Sequence, residues 1–336
     1  MKWGDVSLAD WEAFVGATEQ ANFLQSPQWG SLHERMGDTV IRRGLHDGAR
    51  YGGGYQAIVK DARRGRYLEL PGAPLIDWSD SAARASLKTE LMMVAKQYGC
   101  VFVRIRPQLY DTPEHRVFLT DAGFKKAPMH LHAEHTNMLA LANKTDDELL
   151  VGMRRQTRYE VRRSLKQELT VSFRSDTAAV EEFFTVQADT ARRQGFIPPS
   201  KKFLQEIVAA FGEKARIYRV EHEGRLLNLA LVLRYGNEAD YYEAASTDTA
   251  REYAGAYALQ WQAIRDARDA GAARYNFWGI AYSNDPHHRY AGVTTFKRGF
   301  GGEDTTYVPA HDMVVDPLKY PKNWIIETIR RKRRKL

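Results

Sequence analysis

A single cysteine in 336 residues excludes an internal disulfide and leaves no cysteine-based zinc site. Cys100 precedes the apolar run Val101-Phe102-Val103, which marks it as a small buried hydrophobe rather than a nucleophile. No stretch approaches about eighteen uninterrupted apolar residues, so no membrane-spanning helix is expected. The N-terminus, Met1 to Asp10, has neither a charged leader nor an apolar core, and a cytoplasmic location is expected. Heptads are sustained nowhere, which excludes a long coiled coil. A nucleophile-elbow motif is lacking, and with it the usual signature of Ser-His-Asp catalysis. His130, His132 and His135 alternate beside Glu134 on a predicted strand and are read as core or surface histidines rather than ligands. Neither a metal nor a bound cofactor is expected.

What is present is enough apolar material, 43% of the residues, for about two domains to bury a core each. Lys and Arg total 49 against 42 Asp and Glu, a net +7 that favours a polyanionic partner where it is clustered. Two clusters exist: Met153 to Lys166, and the tail Arg330 to Lys335. The tail can bind RNA or anionic lipid, so a peripheral contact with the inner face of the membrane is included in the expectation.

An approximate internal repeat organises the chain. Its clearer copy runs from Ala215 through a tight Glu223-Gly224 turn to Tyr235, then a third strand at Ala239–Ala245, a helix from about Gly255 to Ala270, and a strand at Arg274–Gly279. The first half repeats the order: Val40–Leu45, a turn at Asp47-Gly48, Tyr51–Val59, Arg66–Leu70, a helix from about Ala82 to Tyr98, then Cys100–Arg106. Antiparallel strands leading into a helix and another strand resemble the acyl-CoA N-acetyltransferase (GNAT) layout. The expected class is therefore α/β (α+β): two tandem GNAT-like acyltransferase domains with mixed, largely antiparallel sheets and flanking helices. Thr145-Asp-Asp-Glu148 reads as a capping box, and the boundary is placed just before it. Residues 1–143 form the first domain, completed by the tail 317–336, and residues 144–316 form the second.

The helix that opens the second domain is basic. At 100° per residue, Arg154, Arg155, Arg158, Arg162 and Lys166 occupy roughly a third of its circumference, with Leu150, Met153, Val161 and Leu165 on the adjoining apolar side. Such a helix docks on the protein while presenting guanidinium groups to phosphates; a solvated helix paired with Glu160 and Glu168 is the other reading.

Near the C-terminus the chain reads Tyr290-Ala-Gly-Val-Thr-Thr-Phe296-Lys297-Arg298-Gly299-Phe300-Gly301-Gly302. This resembles the F-K-x-G-F-G-G signature of the Fem family, whose short members lack a coiled-coil arm. The resemblance implies transfer of an amino acid from aminoacyl-tRNA onto the peptide of a peptidoglycan precursor, nucleotide- or lipid-linked; a monomer is expected. It assigns Lys297, with Phe296, to stabilising negative charge in the transition state, and places Tyr290 at the substrate. Asp304, Glu303 and Glu243 are candidates to accept the amine proton, unranked by sequence.

Asn22 to His33 resembles the family's Q-S-x-x-W segment at the precursor site, with Trp29, His33 and Arg35 as candidate contacts. Many relatives carry lysine at the place of His33; histidine grips a diphosphate only when protonated. Where short relatives show an arginine and a tyrosine, this chain has Pro199 and Phe203, with Lys201 and Lys202 as shifted replacements for the charge. Two readings from other classes remain. One is a CoA-dependent acyltransferase, for which Arg251-Glu-Tyr-Ala254-Gly-Ala256 is a near miss of the pyrophosphate loop, with Ala254 replacing its first glycine. The other is a non-catalytic protein that binds RNA or anionic lipid.

Overall fold

The computed structural model describes residues 1–48, 50–62 and 65–334. Its chain begins β1 (Lys2–Asp5), α1 (Leu8–Ala17), α2 (Pro27–Arg35), β2 (Thr39–His46), β3 (Tyr51–Ala62), β4 (Gly65–Gly72), β5 (Leu75–Ile76), α3 (Ser81–Gln97), β6 (Phe102–Pro107), α4 (Pro113–Asp121) and β7 (Lys125–Lys126). It continues through β8 (His135–Ala140), α5 (Asp146–Gly152), α6 (Arg155–Ser164), β9 (Leu169–Arg174), α7 (Thr177–Gln194), α8 (Lys201–Phe211), β10 (Ala215–His222), β11 (Arg225–Tyr235) and β12 (Glu238–Ser246). Last come α9 (Gly255–Asp269), β13 (Arg274–Gly279), α10 (Ala291–Arg298), β14 (Glu303–Thr306), β15 (His311–Val314) and α11 (Tyr320–Arg334). No helix among the described residues is long and apolar enough to cross a membrane.

Two units emerge: residues 1–134 with 306 onward, and residues 135–305. Each carries the repeat read from the sequence. In the first, β2, β3 and β4 are antiparallel neighbours, α3 follows, and β6 returns parallel to β4. In the second, β10, β11 and β12 are antiparallel, α9 follows, and β13 returns parallel to β12. The sheet orders are β1-β2-β3-β4-β6-β15-β7, with β5 beside β3, and β14-β8-β13-β12-β11-β10-β9. Both sheets are mixed and largely antiparallel, as expected.

The boundary differs from the expected 143/144. β8 pairs with β13, which carries residues 135–143 into the second unit. β15 inserts between β6 and β7, which carries residues 306–316 into the first. Strands of four to six residues show too little alternation to reveal their partners from sequence.

The helices dock by their apolar stripes. Leu87, Leu91, Val94 and Ala95 of α3 pack on Leu68, Leu70, Val103 and Ile105; Leu259, Ala263, Ile264 and Ala267 of α9 pack in a core with Tyr275, Phe277 and Phe300. Burial of each Leu or Ile there is worth about 1.5 to 3 kcal/mol. Asp80 caps α3 and Asp176 caps α7, each side chain accepting a backbone N–H of the first turn.

The capping box forms, but the single basic helix expected after it is two helices. Met153 and Arg154 are extended (ψ 148° and 141°) because Met153 is buried and the Arg154 N–H donates to Gly299 O at 2.9 Å. The helix restarts at Arg155 and ends at Ser164, so Lys166 lies beyond it. Leu165, expected on the apolar side, is 67% exposed.

Candidate active site

Lys297 sits in the last turn of α10, not on a strand edge, and is only 8% exposed. Its Nζ donates to Gly279 O at 2.7 Å and lies 5.5 Å from the Tyr241 ring centroid. Thr294, one turn earlier on the same face, accepts the Ala281 N–H at 2.9 Å. Both contacts fasten α10 to the chain leaving β13. The neighbouring aromatics provide the anchor: Phe296 meets Phe300 edge-on at 5.2 Å and Tyr257 at 5.2 Å, while Phe300 stacks on Phe277.

Gly301 and Gly302 then turn with φ of 93° and 84°. A Cβ on Gly301 would lie 2.9 Å from Gly152 O, and one on Gly302 would collide with Met138 O. Glycine is required at both positions. Because Gly299 O also accepts the Arg154 N–H, the signature turn is packed directly against the junction of α5 and α6.

The lysine stands where two parallel strands part. β12 and β13 pair only over Glu238–Asp240 and Arg274–Asn276. Beyond that point β12 carries a bulge opposite Leu231/Val232, and β13 bends at Trp278, whose φ is 57°. The equivalent β4–β6 pair of the first unit stays in register over six residues. Among the described residues, only the second unit therefore offers a parted pair, with Tyr241 and Glu243 on one lip and Gly279 on the other.

Burial sets the electrostatics. It lowers Lys297 to about 8, against the opposing pull of Glu243. Burial likewise raises Glu243 to about 7, although Lys297 and a hydrogen bond from Gln187 favour its charged form. The other two carboxylate candidates are elsewhere engaged or exposed. Asp304 holds Arg298 at 2.6 Å, and Glu303 is exposed on β14.

The basic surface is smaller than the expected stripe. Arg154, Arg155, Arg162 and Lys166 are exposed, whereas Arg158 caps α5 by donating to Leu150 O and Val151 O at 3.3 and 3.1 Å. Glu160 is taken by Gln156 and Arg163, not by that stripe. Arg154, Arg155, Gln156 and Tyr159 line an open cavity of about 560 Å³, with Tyr159 59% exposed. Arg330, Lys332 and Arg333 are exposed on α11; Lys335 of the basic tail lies outside the described residues.

The CoA loop fares worse. Ala254 is buried and its N–H donates to Gln167 Oε1 at 2.9 Å, while a Cβ at Gly255 would collide with Asn228. The amide that a pyrophosphate cradle needs is already in use.

Comparison with known proteins agrees with the signature. The family model described as "FemAB family" matches residues 6–117, 119–223 and 216–328. The chain belongs to the FemAB family. An aminoacyltransferase FemB of Staphylococcus epidermidis (strain ATCC 12228) is 21% identical over 422 aligned positions, covering all of both chains. The UDP-N-acetylmuramoylpentapeptide-lysine N(6)-alanyltransferase of Weissella viridescens is 28% identical over 166 residues, 49% of this chain and 48% of that one. The crystal structure of FemX superposes with a TM-score of 0.86 at 19% identity, over 97% of this chain and 100% of that one.

The remaining sequence candidates of this FemAB protein are placed as follows. Trp29 is 2% exposed and packs against Phe23, His33 and His132, so it is a core residue. His33 Nδ1 lies 2.7 Å from Asp38 Oδ2, which also accepts from Lys60 at 2.6 Å. Burial alone would raise the Asp38 pKa, but these two partners hold it below the usual carboxylate range. Lys60 on β3 thus brings a fixed positive charge beside His33, a residue that sequence reasoning missed because nothing links the two within 27 positions of chain. Arg35 is exposed in the last turn of α2. Lys201 is paired with Glu181 at 2.5 Å, which removes it as a free substitute for the family's arginine, while Lys202 is exposed. Tyr290 precedes α10 with the Arg289 guanidinium over its ring at 4.7 Å.

The histidines do not alternate on one strand, since β8 starts only at His135. His132 Nε2 lies 3.0 Å from the buried Glu69, His130 Nδ1 lies 4.0 Å from Glu134, and His135 packs on Tyr282. Among the described residues no group of three or more His, Cys, Asp or Glu is arranged to hold a metal.

Proposed function

We propose that the protein is an aminoacyltransferase that moves an amino acid from aminoacyl-tRNA onto an amine in the peptide of a peptidoglycan precursor. The observation that carries this is a buried ammonium, Lys297, held at the only parted parallel pair in the two described sheets. Acyl transfer to an amine places negative charge on the ester carbonyl oxygen and then on the departing ribose oxygen. A preorganised cation in a water-poor site stabilises both. Phe296 contributes by fixing α10, and Tyr290 flanks the same helix.

The donor reading is supported by the basic surface joined to the signature turn. Arg154 and Arg155 offer phosphate contacts, and Tyr159 offers a face for base stacking, all beside the junction that Gly299 fastens. On the acceptor side, the first unit gathers His33 and Lys60 at Asp38, where a diphosphate would compete for them, with Arg35 exposed on the same helix as His33. The names of the FemB and alanyltransferase relatives favour a peptidoglycan acceptor over other amines.

Transfer is expected to require charged tRNA. Incubation with charged tRNAs and a muropeptide precursor should give a product heavier by one amino-acid residue in mass spectrometry, and RNase should abolish it. Transfer that survives RNase but needs an acyl-CoA would replace this reading with the ordinary acetyltransferase, against the occupied Ala254 amide.

The basic surface has its own test. Replacing Arg154, Arg155 and Arg162 together by Ala is expected to weaken tRNA binding and to flatten its log–log salt dependence by about 0.7 to 0.9 for each phosphate that the protein no longer neutralises. Fluorescence anisotropy at several salt concentrations measures the slope. An unchanged slope would assign these arginines to solvation.

A further inference from the structure

We propose that Glu243 takes the proton from the attacking amine and returns it to the leaving ribose oxygen, an assignment that rests on the aminoacyl-transfer reading above. Its position carries the argument. Glu243 lies on β12, three residues past the last pairing with β13, where that strand has no parallel neighbour. Two residues earlier on the same strand, Tyr241 carries the ring that faces Lys297.

The carboxylate is held at one oxygen and open at the other. Gln187, fully buried on α7, donates Nε2 to Glu243 Oε2 at 2.7 Å. Glu243 Oε1 accepts no hydrogen bond among the described residues. Lys297 and Glu243 influence each other's ionisation yet form no ion pair within 4.0 Å, so neither charge is consumed by the other. The groups that face Glu243 are Lys297 from α10, the neutral Gln187 from α7, Tyr241 on its own strand and Leu231 across β11.

Gln187 also suits a group that changes charge. Its own Oε1 is buried and has no hydrogen-bond partner among the described residues. While Glu243 is ionised, the amide donates to Oε2; a proton received at Oε1 leaves Oε2 as the carbonyl oxygen, which still accepts from the same Nε2. Both protonation states are therefore held in place by one buried side chain.

The step balances as follows. The amine lone pair forms a C–N bond to the ester carbonyl carbon, and the carbonyl π pair moves to oxygen beside the Lys297 ammonium. The nitrogen, now positively charged, loses a proton to Glu243 Oε1. Collapse breaks the ester C–O bond, and the ribose oxygen leaves with the proton carried by Glu243. An amide and a free ribose hydroxyl result, and Glu243 ends ionised.

The test compares Glu243→Gln and Glu243→Asp with wild type in the tRNA-dependent assay, with thermal melts to establish that each variant folds. Glu243→Gln is expected to lower kcat on the order of a hundredfold with little change in KM for either substrate. It should also abolish the acidic limb of the pH–rate profile, which in wild type rises through about 7 as Glu243 ionises. Glu243→Asp should keep the limb at an intermediate rate. A Gln variant that retains the wild-type rate or the acidic limb overturns the assignment, as does one that raises KM with kcat unchanged, because the carboxylate would then only bind an ammonium group. Wild-type protein inert toward charged tRNA overturns the transfer reading itself, and the assignment with it.

Discussion

Lys297→Met is expected to lower turnover by about a hundredfold or more while leaving KM for the acceptor nearly unchanged. Methionine keeps most of the apolar stem and removes the ammonium that lies over the Tyr241 ring, which corresponds to a loss of about 3 kcal/mol of transition-state stabilisation. Interactions made only in the transition state appear in kcat rather than in KM. The wild-type rate should fall as pH rises through about 8, where the burial-lowered ammonium loses its proton. Sign and cause agree: the active form is charged, and burial favours the neutral one. Lys297→Arg should rescue poorly, because a planar fork does not fit the point donor that reaches Gly279 O. Steady-state kinetics with charged tRNA decide the matter, and a methionine variant at the wild-type rate would make Lys297 a structural residue.

Arg104→Met is expected to cost about 3 to 5 kcal/mol of stability in urea unfolding, the size measured when one partner of a buried ion pair is removed. Arg104 is 3% exposed on β6 and makes two forked contacts, to Asp312 at 2.8 and 2.8 Å and to Glu327 at 3.2 and 2.6 Å. Both carboxylates are fully buried, and Tyr320 O–H donates to Asp312 at 2.9 Å. Burial pushes Asp312 up, with Arg104 opposing it. Without the guanidinium, Asp312 loses the partner that opposed the upward push of burial, and its carboxyl is held further above its unfolded value. The deficit should therefore shrink as pH falls and Asp312 is protonated. A loss under about 1 kcal/mol would show that the cluster relaxes or hydrates instead.

The repeated strands and long helices were legible because their patterns are local. β10, the Glu223-Gly224 turn with both φ positive, and β11 follow from alternation and turn chemistry, and α9 follows from apolar spacing at three and four residues. Cys100 was equally readable: it is buried, and burial pushes its thiol up to about 11. The break before α6 was not legible. Neither proline nor glycine occupies Met153 or Arg154, and the helix stops because a distant carbonyl, Gly299 O, takes the Arg154 N–H.

The site divided in the same way. Lys297 was singled out through a contiguous signature whose glycines have a steric cause. Glu243 could not be ranked above Asp304 and Glu303, since the distinction lies in which carboxylate shares the lysine's burial and which is already bound to arginine. Lys201 failed for a similar reason: its pairing with Glu181 joins two helices and leaves no trace in local sequence.

The insertion of β15 between β6 and β7 has a consequence for how the protein is made. The second unit is one continuous stretch of chain, whereas the first depends on residues after 305 for an internal strand and for the partners of Arg104. During synthesis the later unit is therefore the one that can complete itself first. The N-terminal sheet, though it emerges earlier, waits with a charged arginine uncompensated on β6 until β15 and α11 have left the ribosome. Released chains truncated after residue 305 should carry a protease-resistant second unit and a protease-sensitive first one.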